Sequence, residues 1–234
     1  MVVPFKIGVS MCLPAFNEED NIKKAIDDSI PVLNAISDDW EIVVVDDGSE
    51  DNTNKITKEI IELNKRVRLV QHDKNRGYGQ ALITSFAASR KEWIWLSASD
   101  SQFDPNEIFK MIPFIKDYDA IVGCRYNRAD PPYRRLYAKL YNGLIKVVLG
   151  LSIKDINCGF KLIKRGIFDK ISLESAGALI DAEFFYKCKK NNISLKEVAI
   201  EHKPREFGSQ TGGNFMVVIR MFMELLRLRM GNKA

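Results

Sequence analysis

The chain has 234 residues, 46% hydrophobic and 28% charged, which is enough for one medium-sized core and too short for a second independent domain of ordinary size. A formal charge of +4 and a pI of about 8.8 are mild and argue against a nucleic-acid partner. Cys12, Cys124, Cys158 and Cys188 form no CxxC pair, which excludes a zinc knuckle or a thioredoxin-like motif and predicts buried thiols in a reducing compartment.

In chain order, Ile7 to Leu13 reads as a first strand that Pro14 stops. Asn17 is placed as the N-cap of a helix with Ile22, Ala25, Ile26 and Leu33 on one face, and Pro31 is expected to kink that helix or end it early. Glu41 to Val45 reads as a second strand, Asp51 or Thr53 opens a helix bearing Ile56, Ile60 and Leu63, and Val67 to Gln71 reads as a third strand. A helix over about Gln80 to Ser89, a strand Trp93 to Leu96, a helix over about Pro105 to Ile115 and a strand Ala120 to Val122 continue the alternation. Such alternation predicts βαβ units on a mainly parallel sheet, an α/β fold.

Beyond Arg125 the pattern becomes irregular. The segment Leu136 to Leu149 is amphipathic and reads either as an interfacial helix or as a helix packed on its own sheet with a solvated basic face. A short strand follows Lys161, Asp181 and Glu183 open an apolar helix, and Leu195 to Ile200 reads as the last strand. The tail from Asn214 to Met230 sets apolar residues at helical spacing among arginines, so it is too polar to span a bilayer but able to lie on one. We therefore expect a main domain over residues 1–213 and an amphipathic basic C-terminal helix over 214–234.

Basic residues cluster at Arg125, Arg128, Arg134, Arg135, Lys139 and Lys146, and again at Arg220, Arg227, Arg229 and Lys233, a pattern that favours phosphates or an anionic membrane surface. The N-terminus lacks a basic region followed by a small-residue cleavage site, and no run approaches the roughly 18 apolar residues of a spanning helix. The expectation is a cytoplasmic chain, soluble or peripheral at the inner face of a membrane.

Three apolar runs end abruptly in polar residues: at Pro14 to Glu18, at Asp46-Asp47-Gly48-Ser49, and at Ala98 to Gln102. In an open α/β sheet the carboxyl ends of the strands are where ligands bind, so these segments are expected to share one crevice. Asn75-Arg76-Gly77-Tyr78-Gly79 can supply a tight turn before a helix, but it has the spacing of neither the dinucleotide-binding nor the P-loop fingerprint.

Together with Gly123-Cys124-Arg125-Tyr126, Asn157-Cys158-Gly159-Phe160-Lys161 and Arg205-Glu206-Phe207-Gly208, these motifs fall in the order and approximate spacing of a known family. The chain resembles the family-2 glycosyltransferases of GT-A fold, and among them the polyisoprenyl-phosphate sugar transferases of the dolichol-phosphate mannose synthase type. The resemblance runs from about Ser10 to Leu226. It implies a Rossmann-like three-layer sandwich and a hexose moved, with inversion, from a nucleotide diphosphate sugar to a dolichyl or undecaprenyl phosphate at the cytoplasmic membrane face.

By that similarity, Pro14, Phe16, Glu18, Gly77 and Gln102 belong to the nucleotide-sugar site, and Asp46 or Asp47 accepts from the base or ribose, whose N–H and O–H groups are donors. Alternatively both aspartates cap the helix near Asp51. GT-A enzymes usually hold Mg²⁺ or Mn²⁺ with an Asp-x-Asp, but here Ala98 stands where the first Asp belongs, leaving Asp100, with Gln102, as a weakened metal site. Arg125, with Arg134 or Arg135, is the candidate for the acceptor phosphate, and Arg205 for closure over the diphosphate. Asp181 and Glu183 match an acidic pair that in relatives with hydroxyl acceptors includes a base; a helix-cap role competes. His202 is a further candidate for the diphosphate, and His72 reads as structural.

The alternatives to polyisoprenyl phosphate transfer are a glycosyltransferase acting on a saccharide or protein hydroxyl, and, because of Ala98, a nucleotide-binding pseudo-enzyme. A membrane-protein partner meeting the C-terminal helix is a further expectation.

Overall fold

The computed structural model describes residues 7–126, 132–177, 179–205 and 225, with the side chains of 132–138 and 141 outside the description. The predicted C-terminal helix over 214–234, and Arg128 and Gly208, lie outside the described residues, apart from the buried Leu225.

Seven strands, β1 (Val9–Ala15), β2 (Trp40–Asp46), β3 (Val67–Gln71), β4 (Trp93–Leu96), β5 (Ala120–Tyr126), β6 (Lys161–Lys164) and β7 (Leu195–Glu201), form one sheet in the order β3-β2-β1-β4-β6-β5-β7. Neighbours run parallel except at β6, which is antiparallel to both β4 and β5. The sheet is mainly parallel, as the alternation predicted. Every residue of β2 and β4 is buried, as expected of strands covered on both faces.

Strand alternation divides the core in two. Val9, Met11 and Leu13 of β1 point with Ile42 and Val44 toward helices α1 (Ile22–Ile36) and α2 (Thr53–Leu63). Cys12, Val43 and Val45 point the other way, toward α3 (Tyr78–Ala88), α4 (Pro132–Leu149) and α5 (Ile180–Lys190). The result is the three-layer sandwich. All four cysteines are free, three of them buried, and burial pushes the Cys12 thiol up to about 12.

Several local expectations need correction. Asn17 is not the N-cap of α1, which begins at Ile22 after Asn21. Asn17 instead adopts a left-handed φ of 54°, where its amide donates to Ser49 Oγ and its side-chain oxygen accepts from the Glu50 amide, tying the end of β1 to the turn after β2. Pro31 does not end α1: it lies on the exposed side, and burial of Val32, Leu33 and Ile36 carries the helix past it. The helix expected over Pro105 to Ile115 is two 3-10 segments, Pro105–Lys110 and Ile112–Phe114, because Pro113 lacks the N–H a continuous α-helix would use. β5 extends to Tyr126, held by register with β7, which puts Arg125 on a strand.

Candidate functional site

The strand order reverses between the neighbours β1 and β4, since β1 leads to β2 toward one edge of the sheet and β4 leads to β5 toward the other, the kind of switch point at which open α/β sheets leave a crevice. A cavity of about 420 Å³ opens there, lined by Pro14, Phe16, Glu18, Asp47, Ala98 and Asp100 from the ends of β1, β2 and β4. Tyr78, Gly159 and Arg205 complete its wall. The Asp47 amide donates to the Ala15 carbonyl at 2.8 Å and Ser99 Oγ to the Pro14 carbonyl at 2.8 Å, so the three strand ends are fixed to one another.

The aspartate pair divides its work. Asp46 is fully buried and outside the cavity wall: its oxygens accept from the Ser49 amide at 2.9 Å and from Asn54 Nδ2 at 3.0 Å, closing the turn into α2. Asp47 reaches the cavity while gripping the loop after β3, accepting from the Arg76 and Gly77 amides at 2.9 Å each and from His72 Nδ1 at 2.6 Å. His72 is buried between Asp47 and Thr84, a structural histidine. The glycines that follow serve close packing. Gly77 has φ 95°, and a Cβ on Gly79 would stand 2.1 Å from the Ser175 carbonyl oxygen.

Arg205 bridges two carboxylates across the cavity. Its Nη2 donates to both oxygens of Glu18 at 2.8 and 2.9 Å, and its Nη1 lies 3.6 Å from Asp100 Oδ2. Burial raises the Glu18 carboxyl above its usual value, against the pull of Asn21 and Arg205. The Asp100 Oδ1 accepts from the Gln102 amide at 3.1 Å. Gln102 itself is turned out of the cavity wall: its side-chain nitrogen donates to the Lys203 carbonyl at 3.1 Å, and the Lys203 amide returns a bond to the Gln102 carbonyl at 2.8 Å. His202 likewise packs edge-on against Phe103, away from the cavity lining.

Among the described residues no group of three or more His, Cys, Asp and Glu is arranged to hold a metal ion. A Mg²⁺ ion needs no such group, since it is commonly held by one or two carboxylates together with substrate phosphates and waters. Asp100 fits that requirement; the expected help from Gln102 is not in place.

Arg125, Asp181 and Glu183 are not among the residues that line the cavity. Arg125 forms a bidentate pair with Asp155, Nε at 2.6 Å and Nη2 at 2.8 Å. Asp181 is 4% exposed and pairs at 2.7 Å with the ammonium of Lys161, itself 1% exposed, which also donates to the Cys158 carbonyl. Burial pushes the Asp181 carboxyl up, with Lys161 and Arg125 opposing. Glu183 accepts from Lys187 Nζ at 2.6 Å and from the Glu174 and Ser175 amides. Burial works to raise its carboxyl, but these donors outweigh it and hold the group below the usual value. Arg134 and Arg135 fall on α4, and their side chains lie outside the described residues.

Sequence reasoning missed Tyr78, Lys161 and Asp155. Tyr78 was hidden between two glycines, and the lysine and aspartate acquire meaning only from partners 20 and 30 residues away.

The chain matches the profile of Glycosyl transferase family 2 over residues 10–172. It belongs to that family. The matched segment holds every strand end around the cavity together with Arg125, Asp155 and Lys161, and stops short of Asp181, Glu183 and Arg205. Among similar family-2 proteins, Glycosyltransferase AglD of Haloferax volcanii is 26% identical over 209 residues, covering 85% of this chain and 34% of its own length. An undecaprenyl-phosphate 4-deoxy-4-formamido-L-arabinose transferase of Proteus mirabilis is 27% identical over 225 residues, 93% of this chain. The chain thus spans about a third of the first relative's length and 66% of the second's. In fold, the chain is similar to glucosyl-3-phosphoglycerate synthase from Mycobacterium tuberculosis, solved with Mn²⁺, UDP and phosphoglyceric acid, with a TM-score of 0.74 at 19% identity over 96% of this chain and 79% of that one.

Proposed function

We propose that this family-2 chain transfers a hexosyl group from a nucleotide diphosphate sugar to a polyisoprenyl phosphate. The observation that carries the reading is that Asp100 and Arg205, 3.6 Å apart, line the same cavity as Pro14, Phe16 and Asp47. Phe16 and Pro14 offer an apolar surface for a base, and Asp47 an acceptor for its N–H or a ribose hydroxyl. Arg205 provides guanidinium donors for a diphosphate. Asp100 would hold the divalent cation, which when bound neutralises charge growing on the leaving diphosphate.

In the proposed step an acceptor phosphate oxygen bonds to the anomeric carbon from the side opposite the diphosphate. The bond to the diphosphate oxygen breaks, its electron pair leaves with that oxygen, and the sugar is inverted. A phosphate monoester is anionic at neutral pH, so the step needs positioning more than a base. The acidic pair supports this choice over a hydroxyl acceptor: Asp181 is committed to Lys161 and Glu183 to Lys187 and two amides. The relative named for undecaprenyl phosphate supports the same acceptor. Arg125, fixed by Asp155 at the end of β5, is the acceptor-side guanidinium, with Arg134 and Arg135 as its candidates for company.

α4 gives a means of reaching a lipid acceptor. Leu140 is 62% and Val147 82% exposed, Leu144 lies on the same side, and Lys139 is exposed beside them. No helix among the described residues is long and apolar enough to cross a membrane. We place α4 against the inner face of an anionic bilayer.

The test is turnover by the purified chain with Mg²⁺ or Mn²⁺, a panel of nucleotide sugars and undecaprenyl or dolichyl phosphate in anionic vesicles. Release of nucleoside diphosphate with labelled lipid is expected. No lipid product from any common donor would refute the proposal. Ala98 keeps a second reading, a nucleotide-binding pseudo-enzyme; binding without turnover, with activity appearing in Ala98→Asp, would establish it.

A further inference from the structure

Among the polar groups that line the cavity without an assigned role is the phenol of Tyr78. Its backbone is held from three sides: the Arg76 and Gly77 amides donate to Asp47, and the Gly79 amide donates to the Ala176 carbonyl at 2.8 Å. The side chain therefore leaves a fixed turn at the start of α3.

The hydroxyl end faces Gly159. A Cβ built on Gly159 would lie 3.9 Å from Ala98 Cβ, 3.9 Å from Phe103 Cε2 and 4.0 Å from Tyr78 Oη, so the missing side chain leaves a small space bounded by a methyl, a ring edge and a hydroxyl. Ala98, Gly159 and Tyr78, which bound this space, line the same cavity as Asp100 and Arg205. A donor whose diphosphate is held by Asp100 and Arg205 would bring its sugar within reach of this space.

We infer that the Tyr78 hydroxyl donates a hydrogen bond to an oxygen of the donor's glycosyl end, supplying from α3 the polar contact that a methyl at Ala98 cannot. Tyr78 is 40% exposed as a residue and lines the cavity, yet loss of water around the hydroxyl, together with the negative charge of Asp181, keeps the phenol protonated well above its ordinary value. It is therefore a neutral donor at any working pH. A neutral donor suits a site next to an anionic diphosphate, where a second carboxylate would repel unless a cation intervened. Tyr78 acts as a positioning and selectivity residue, and the inference rests on the nucleotide-sugar reading above.

The experiment compares binding of UDP with UDP-glucose, and of GDP with GDP-mannose, by calorimetry on the wild-type chain and on Tyr78→Phe and Gly159→Ala, alongside melting curves. In Tyr78→Phe the nucleotide sugar should bind about three- to ten-fold more weakly, the range of one neutral hydrogen bond, while the nucleoside diphosphate binds as before and the melting temperature holds. Gly159→Ala, whose added methyl makes only ordinary contacts in the unliganded chain, should also weaken the sugar-bearing ligand selectively. Equal affinity of wild type and both variants for the nucleotide sugar overturns the inference and leaves the transferase reading standing. Equal weakening of both ligands overturns it too, because the contact would then be to the nucleotide. Failure of the wild-type chain to bind any of the four ligands overturns both readings.

Discussion

Replacing Asp181 with Asn separates a structural carboxylate from a catalytic one. The change keeps the shape of the side chain but leaves the ammonium of Lys161, 1% exposed, without a counter-charge at 2.7 Å. Removing one partner of a buried pair commonly costs about 3–5 kcal/mol, and because the Asn oxygen can still accept a bond from Lys161 the loss should fall near the lower end, about 3 kcal/mol. For a chain of 234 residues that corresponds to a fall in melting temperature of roughly 6–12 °C, at about 2–4 °C per kcal/mol. Urea titration followed by circular dichroism measures the first quantity and calorimetry the second. The double variant Lys161→Met with Asp181→Leu should recover most of the loss, since an apolar pair of similar volume replaces a desolvated ionic one. Assayed where Asp181→Asn remains folded, transfer to a polyisoprenyl phosphate should stay within about threefold of wild type, because an anionic acceptor needs no base. Unchanged stability combined with a loss of turnover of about a thousandfold would refute this reasoning and return Asp181 to the role of general base.

Three further outcomes follow from the same contacts. Because the Glu183 carboxyl is held below its usual value, its stabilisation is fully present above the ordinary glutamate value and lost as pH falls through the lowered one; the stability gap between wild type and Glu183→Gln should therefore shrink in urea titrations taken from about pH 7 down to about pH 3. Gly79→Ala, which at an open helical position would gain about 1 kcal/mol, should instead lose more than about 2 kcal/mol by chemical denaturation, since its Cβ would meet the Ser175 carbonyl oxygen at 2.1 Å. Asp100→Asn should abolish the extra thermal stabilisation that Mn²⁺ adds to bound nucleoside diphosphate, and lower turnover by at least about a hundredfold.

Much of the fold was legible because apolar periodicity has a direct physical cause. β3 and β4 begin and end where the sequence placed them, and the surrounding helices follow from apolar residues at helical spacing. The errors fall where local chemistry was overruled by contacts distant in sequence. Asn17 looks like a helix cap, but the turn at Ser49 and Glu50 uses its polar groups first. Pro31 looks like a helix breaker, but the buried residues after it hold the helix together. At the site, the ends of the three strands were found from their abrupt change of polarity. What each carboxylate does there was not, since a carboxylate is defined by its donors, and those of Asp47 lie 25 to 30 residues away.

The sequence by itself determined the layered α/β architecture, the family, and the polar ends of β1, β2 and β4 as walls of one crevice, because residue type and periodicity fix which segments are buried and where burial stops. Tertiary structure decided which polar groups remain available for chemistry. It spent Asp46 on a turn, Glu183 on a loop and Gln102 on the Lys203 backbone, and it brought Asp100, Arg205 and the Tyr78 hydroxyl around one cavity with Asp47, which also holds the loop after β3. The physical reason is that buried polar atoms must find partners, and the nearest partners are set by the packing of strands and loops far apart in the chain.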